Sequence, residues 1–106
     1  MENWYSVKGL FRWYYKESGE TAQIEERIIL IRATNIDMAL DKAEEEAVAY
    51  CEEDTKANYK IEPLNKYYAY DIVDRELESG TEIFSFRRET EVKSEVYLER
   101  FYPETI

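Results

Sequence analysis

One run of the chain constrains its architecture more than any other. From Asn35 to Asp54, rich in alanine and glutamate, the apolar residues are Ile36, Ala39, Leu40, Ala43, Ala47, Tyr50 and Cys51. Steps of three and four place them on one face of an α-helix. Asn35 stands where its side chain can accept a bond from an unpaired amide of the first turn, and Asp37 suits the positive end of the helix dipole. The alanines keep the inner face flat, so a sheet can approach closely. Burial of Ile36, Leu40 and Tyr50 is expected to contribute about 5 kcal/mol, at roughly 1.5–3 kcal/mol for each large side chain. Glu52, Glu53 and Asp54 oppose the dipole at the other end and are expected to fray the last turn. Lys42 and Glu46 have the spacing of a surface ion pair.

The segments around this helix read as strands. Between Asn3 and Lys16 one alternate set is Tyr5, Val7, Gly9, Phe11, Trp13 and Tyr15, which is apolar and expected to face the core. The other set, Trp4, Ser6, Lys8, Leu10, Arg12 and Tyr14, is mixed. The strand would outrun the helix, and Gly9 is the expected place for a bulge or a close approach. After a turn at Glu17–Thr21, a second strand from Gln23 to Thr34 is expected to turn Ile29, Ile31 and Ala33 inward and Ile28 and Leu30 outward. The outward face, with Trp4, Leu10 and Tyr14 beside Ile28 and Leu30, is too apolar to be simply wet.

Beyond the helix, Thr55 to Lys66 reads as a loop with Pro63, with room for a short extended piece at Tyr59–Ile61. A third strand is expected over Lys66–Leu77, a hairpin turn at Glu78–Thr81, and a fourth strand over Glu82–Arg88. In the tail, Val92, Val96, Tyr97, Arg100 and Phe101 recur at helical spacing before Pro103, which favours a short helix, although Val92, Ser94, Val96 and Leu98 also alternate. The expected fold is α+β. It is a mainly antiparallel four-stranded sheet, order 2-1-3-4, with the main helix on one face and Val92, Val96, Leu98 and Phe101 of the tail available to cover part of the other. Residues 1–106 are expected to form one domain, with a core over 1–88 and a C-terminal segment over 89–106.

Net charge and composition narrow the function classes. The chain carries 24 acidic against 14 basic residues, for a formal net charge of −10. That charge disfavours nucleic acid and anionic membrane, and it suits a basic protein. No run approaches the roughly 20 apolar residues of a membrane span. The start, Met-Glu-Asn-Trp-Tyr, lacks the pattern of a signal peptide, and the single cysteine makes no internal disulfide. A cytoplasmic location is the expectation.

Histidine is absent from the sequence, which removes the commonest general base and the commonest metal ligand. Cys51, on the inner helix face, reads as a small buried hydrophobe rather than a reactive thiol. The glycines are isolated and build no phosphate loop. Carboxylate neighbours exist, Asp41 with Glu45 and Glu82 with Asp71 or Asp74, but a chain this acidic produces such neighbours by chance. Trp4, Lys8, Arg12 and Tyr14 on one strand face have the mixture that stacks single-stranded bases, and the overall acidity speaks against it.

Three blocks in order carry a resemblance: Trp4-Tyr5-Ser6-Val7-Lys8, then Glu26-Arg27-Ile28-Ile29-Leu30-Ile31-Arg32-Ala33 leading into the Ala/Glu helix, then Asp71-Ile72-Val73-Asp74 followed by Gly80-Thr81-Glu82-Ile83-Phe84-Ser85. In these the chain resembles the small bacterial family catalogued as domain of unknown function 4288, from residue 4 to about 86. The resemblance implies a compact α+β domain and supplies no catalytic residue. The function expected from the residues is a non-enzymatic protein-binding module. Its candidate contacts are Trp4, Tyr14 and Leu30 on the outer sheet face and Glu44, Glu45, Glu52 and Glu53 on the acidic helix. The expected partner is another protein, basic in character, or a second copy in a homodimer, as for a regulatory or immunity-type protein. No cofactor, metal, nucleic acid or membrane is expected. The alternative is a small carboxylate-based or metal-dependent hydrolase.

Overall fold

The computed structural model describes residues 1–53, 58–73 and 76–102. Asp54, Asp74 and Pro103, which enter the expectations for the helix end, a carboxylate pair and the tail, lie outside the described residues. Strand β1 (Asn3–Tyr15) pairs antiparallel with β2 (Thr21–Ala33) on one side and with β3 (Tyr59–Ile72) on the other. Among the described residues the sheet therefore has three strands in the order β2-β1-β3, not four. Helix α1 spans Ile36–Glu52 between β2 and β3, and a second helix, α2, covers Ser94–Phe101 in the tail.

Alternation explains which side chains of the sheet are buried. Tyr5, Val7, Phe11, Ile31 and Ala33 are all inward and buried, and Ile29 packs beside them half-buried. Ala39 and Ala43 of α1 join the cluster of Tyr5, Val7, Ile31 and Ala33, while Ala47 joins Phe11 and Ile61. Alanines at i, i+4 and i+8 form a narrow row with no side chain long enough to hold the sheet away. Ile36 is not in that row and is 46% exposed, which corrects the expectation that it helps fill the core. The row continues backwards from Ala39 to Asn35, the N-cap, whose side chain accepts from the Met38 amide at 2.9 Å. Large apolar burial thus comes from the strands more than from the helix.

The third strand begins at Tyr59 rather than Lys66 and ends at Ile72 rather than Leu77. Pro63 is tolerated because β3 is an edge strand, where a missing ladder amide costs little. Gly9 faces Tyr67 and Phe11 faces Pro63, so Leu64, Asn65 and Lys66 lie opposite Leu10 alone. The irregularity expected at Gly9 is therefore built on β3, where Asn65 adopts a left-handed φ of 59°. Gly9 has another purpose. A Cβ there would lie 3.1 Å from the Phe11 ring and 3.2 Å from the Tyr67 ring, so its bare backbone makes room for both.

The expected turn before the fourth strand is present, with the Thr81 amide donating to the Glu78 carbonyl at 3.0 Å and Gly80 at a φ of 93°. The chain that follows joins no ladder. It crosses the outer face of the sheet, where buried Ser6 donates its hydroxyl to the Ile83 carbonyl. Phe84 lies against Tyr70 and Phe86 against Tyr68, at ring separations of 6.1 and 6.2 Å. Lys8 sits over both phenylalanines, 5.8 and 5.3 Å from their centroids. Covering an apolar face evidently outweighs adding a ladder at the edge.

Candidate functional site

The outer face is divided by that crossing. On its β1–β3 half, Ser6, Lys8, Tyr68 and Tyr70 lie against residues 83–86. On its β2 half, Ile24, Ile28 and Leu30 stand in a row, 57, 46 and 43% exposed. Register puts Leu30 beside Ser6, Ile28 beside Lys8 and Ile24 beside Arg12. Residues 83–86, within the strand expected over Glu82–Arg88, form the cover, and not the tail. No Cα of α2 comes within 8 Å of a Cα in a strand, and Val92, Val96, Leu98 and Phe101 are all more than a third exposed. Between α2 and the sheet lies a groove of about 490 Å³, lined by Lys8, Glu26, Phe86, Arg88, Val92 and Leu98 among others.

The basic residues of β1 are engaged within the chain. Lys8 bonds Glu26 at 2.5 Å. Arg12 bonds Glu62 at 3.0 Å and Thr21 at 2.5 Å, and donates to the Gly19 carbonyl in the β1–β2 turn. Its guanidinium lies over the Tyr14 ring at 4.7 Å. Arg32 lies over Trp4 at 5.2 Å.

The seven expected contact residues fall into separate groups. Trp4 and Leu30 are near neighbours on the outer face, since Trp4 pairs with Arg32 and Leu30 with Ser6. Tyr14 is at the far end of β1, where it lines a cavity of about 700 Å³ with Glu52 and Glu53. Glu44 and Glu45 are exposed on α1. Asp41, Glu45, Val48 and Glu52 follow one another along one exposed side of that helix. Lys42 does not pair with Glu46. Its amine meets the Arg32 carbonyl at 2.6 Å, and Glu46 is taken by Arg27.

That last pair belongs to a network that the sequence analysis missed. Two guanidinium nitrogens of Arg27 donate to the two carboxylate oxygens of Glu46 at 2.6 and 2.7 Å, and the same group lies 3.8 Å from the centroid of Tyr50. Tyr50 donates to Glu25, as does the Trp13 indole at 3.1 Å. The signal was the parity of β2: if Ile29 and Ile31 point inward, so do Arg27 and Glu25, and a half-buried charge gains from partners. The hydrogen bonds from Arg27 hold the Glu46 carboxyl below its usual range, and the bonded Glu46 raises Arg27 in turn. This network ties β2 to α1. Among the described residues, no three His, Cys, Asp or Glu side chains converge as metal ligands.

Burial, and then the bond to Glu25, pushes Tyr50 from 10.0 up to about 12. Folding therefore favours the neutral phenol, and its contribution to stability is complete below about pH 10 and lost as pH rises towards 12. Thermal melts of Tyr50→Phe are expected to fall less steeply across that window than those of the parent chain. Equal slopes would mean that Tyr50 titrates alike in both states.

No helix among the described residues is long and apolar enough to cross a membrane. No curated protein and no solved structure matches the chain. A family model described as a domain of unknown function, DUF4288, matches residues 4–85. That span includes the three strands, α1 and the start of the crossing segment, so the chain belongs to the DUF4288 family.

Proposed function

We propose that this domain is a non-enzymatic protein-binding module. The observation that carries the reading is the exposed row Ile24, Ile28 and Leu30, on a sheet face whose other half the chain covers with its own residues 83–86. Apolar rows of this kind on one strand serve contact with another polypeptide. A second contact of different character is available on α1, where Glu44, Glu45, Glu52 and Glu53 are exposed and Asp41 and Val48 adjoin Glu45. Those acids suit a basic protein, as expected of a regulatory or immunity-type partner, and would speed encounter more than they tighten the complex.

A photo-activated cross-linking amino acid at Ile28, and separately at Glu45, tests both contacts in cells that make the protein. Ile28 is expected to capture a polypeptide. Capture from Glu45 as well would place the acidic helix in the contact. Adducts at neither position would overturn the reading.

A further inference from the structure

We infer that the groove between α2 and the sheet binds a small carboxylic acid with an apolar body, its carboxylate on Arg88 and its body against α2. The groove holds about 490 Å³, within the roughly 300–1,000 Å³ of small-molecule sites. One wall is the apolar side of the tail. Ser94, Tyr97 and Leu98, at i, i+3 and i+4, share one side of α2, and Val92 and Tyr102 flank them. Facing them are Phe86 of the crossing segment and the outward pair Lys8 and Glu26 of the sheet. The groove adjoins the row Ile24, Ile28 and Leu30 at Glu26 and is lined by none of those three, so a ligand there is independent of any polypeptide on that row.

Charge selects the occupant. Of the ionised side chains that line the groove, Lys8 and Glu26 neutralise one another at 2.5 Å, which leaves Arg88. Among the described residues Arg88 meets no carboxylate at ion-pair distance. Its guanidinium rests instead on two rings, Phe86 of the crossing segment and Phe101 of α2, with its central carbon 5.4 Å from each centroid. Ring faces attract the cation but accept little from its N–H donors, and those donors form the fork that takes both oxygens of a carboxylate. The chain uses this very combination at Arg27, which lies over Tyr50 and grips both oxygens of Glu46. At Arg88 the chain supplies the rings and leaves the carboxylate to a ligand. Glu89, Glu91 and Glu95, though close in sequence, do not line the groove. The net charge of −10 opposes an anion at a distance, but salt screens that repulsion beyond about 8 Å under physiological conditions. Tyr97, Leu98, Val92 and Phe86 then require that the anion carry an apolar body, because a bare one would leave them wet.

Three probes test the site by nuclear magnetic resonance of the isotope-labelled full chain: naphthoate, its neutral counterpart naphthylmethanol, and acetate. Naphthoate is expected to shift the Arg88 side-chain N–H and the Tyr97 and Leu98 amides saturably, with a Kd below about 1 mM. Naphthylmethanol is expected to bind about tenfold more weakly, and acetate not to saturate in that range. Arg88→Gln is expected to weaken naphthoate about tenfold and to change naphthylmethanol by less than about twofold. Leu98→Glu, which sets a like charge in the apolar wall, is expected to abolish naphthoate binding. Circular dichroism verifies that each variant keeps the fold. An acid and an alcohol that bind alike, or that Arg88→Gln weakens alike, would overturn the carboxylate contact. Acetate that matches naphthoate, or naphthoate binding that Leu98→Glu leaves unchanged, would overturn the apolar contact. Shifts centred elsewhere, or none, would overturn the site itself.

Discussion

Ala43→Asp is expected to abolish folding or come close to it. Ala43 is 2% exposed in the middle of the row Ala39, Ala43, Ala47, and it shares a cluster with Tyr5, Val7 and Ile31. A carboxylate there enters a small cavity that Arg27 also lines, but that guanidinium is already held by both oxygens of Glu46, whose own charge adds repulsion. Removing a charge from water without a partner costs several kcal/mol, a large part of the roughly 5–15 kcal/mol that holds a domain of this kind together. Added bulk acts in the same direction, because the alanine row is what lets the helix approach. Glu45→Ala, two residues away on the exposed side, is the matched control and is expected to change stability by less than about 0.5 kcal/mol. Chemical denaturation of the two variants compares them directly. An Ala43→Asp chain that melts with the parent would show that this row does not face the sheet.

Phe11→Ala has the next largest expected effect, about 3–5 kcal/mol of destabilisation. Phe11 is among the largest fully buried side chains and is surrounded by Ala47, Ile61, Trp13 and Tyr67. Its ring meets Tyr50 edge-on at 5.3 Å. The Arg27 guanidinium is 5.9 Å away, so truncation also loosens the apolar side of the Arg27–Glu46–Tyr50 network. The space left cannot close easily, since the backbone of Gly9 has no side chain to move into it. Phe11→Leu keeps most of the volume and is expected to lose less than half as much. Equal losses in the two variants would mean that the ring contacts matter more than the volume.

Legibility followed the range of the interaction. Period-2 alternation in β1 and β2 assigned Tyr5, Val7, Phe11, Ile31 and Ala33 to the inner face, and the i, i+4 row with its Asn35 cap marked α1. These are short-range signals: neighbours on a strand must point to opposite sides, and helix faces repeat every turn. The same alternation left Ile28 and Leu30 outside, and both are exposed there. Pro63 misled the reading of β3, because a proline forbids a central strand but not an edge one, and only the sheet order says which a strand is.

What the sequence determined by itself was therefore the two faces of β1 and β2, the helix and its cap, and the apolar surplus that requires a cover. What only the tertiary structure decided was where that surplus goes. Ile83–Phe86 had the composition of a strand and equally the composition of a cover. The choice went to the crossing because Ser6 offers its hydroxyl to Ile83, and Tyr68, Tyr70 and Lys8 offer surfaces to Phe84 and Phe86, from positions far away in the chain. Likewise Arg27 became part of a β2–α1 clamp only because α1 brings Glu46 and Tyr50 over it. Interactions between residues distant in sequence leave no period to read, and their energy is settled only when the chain has folded.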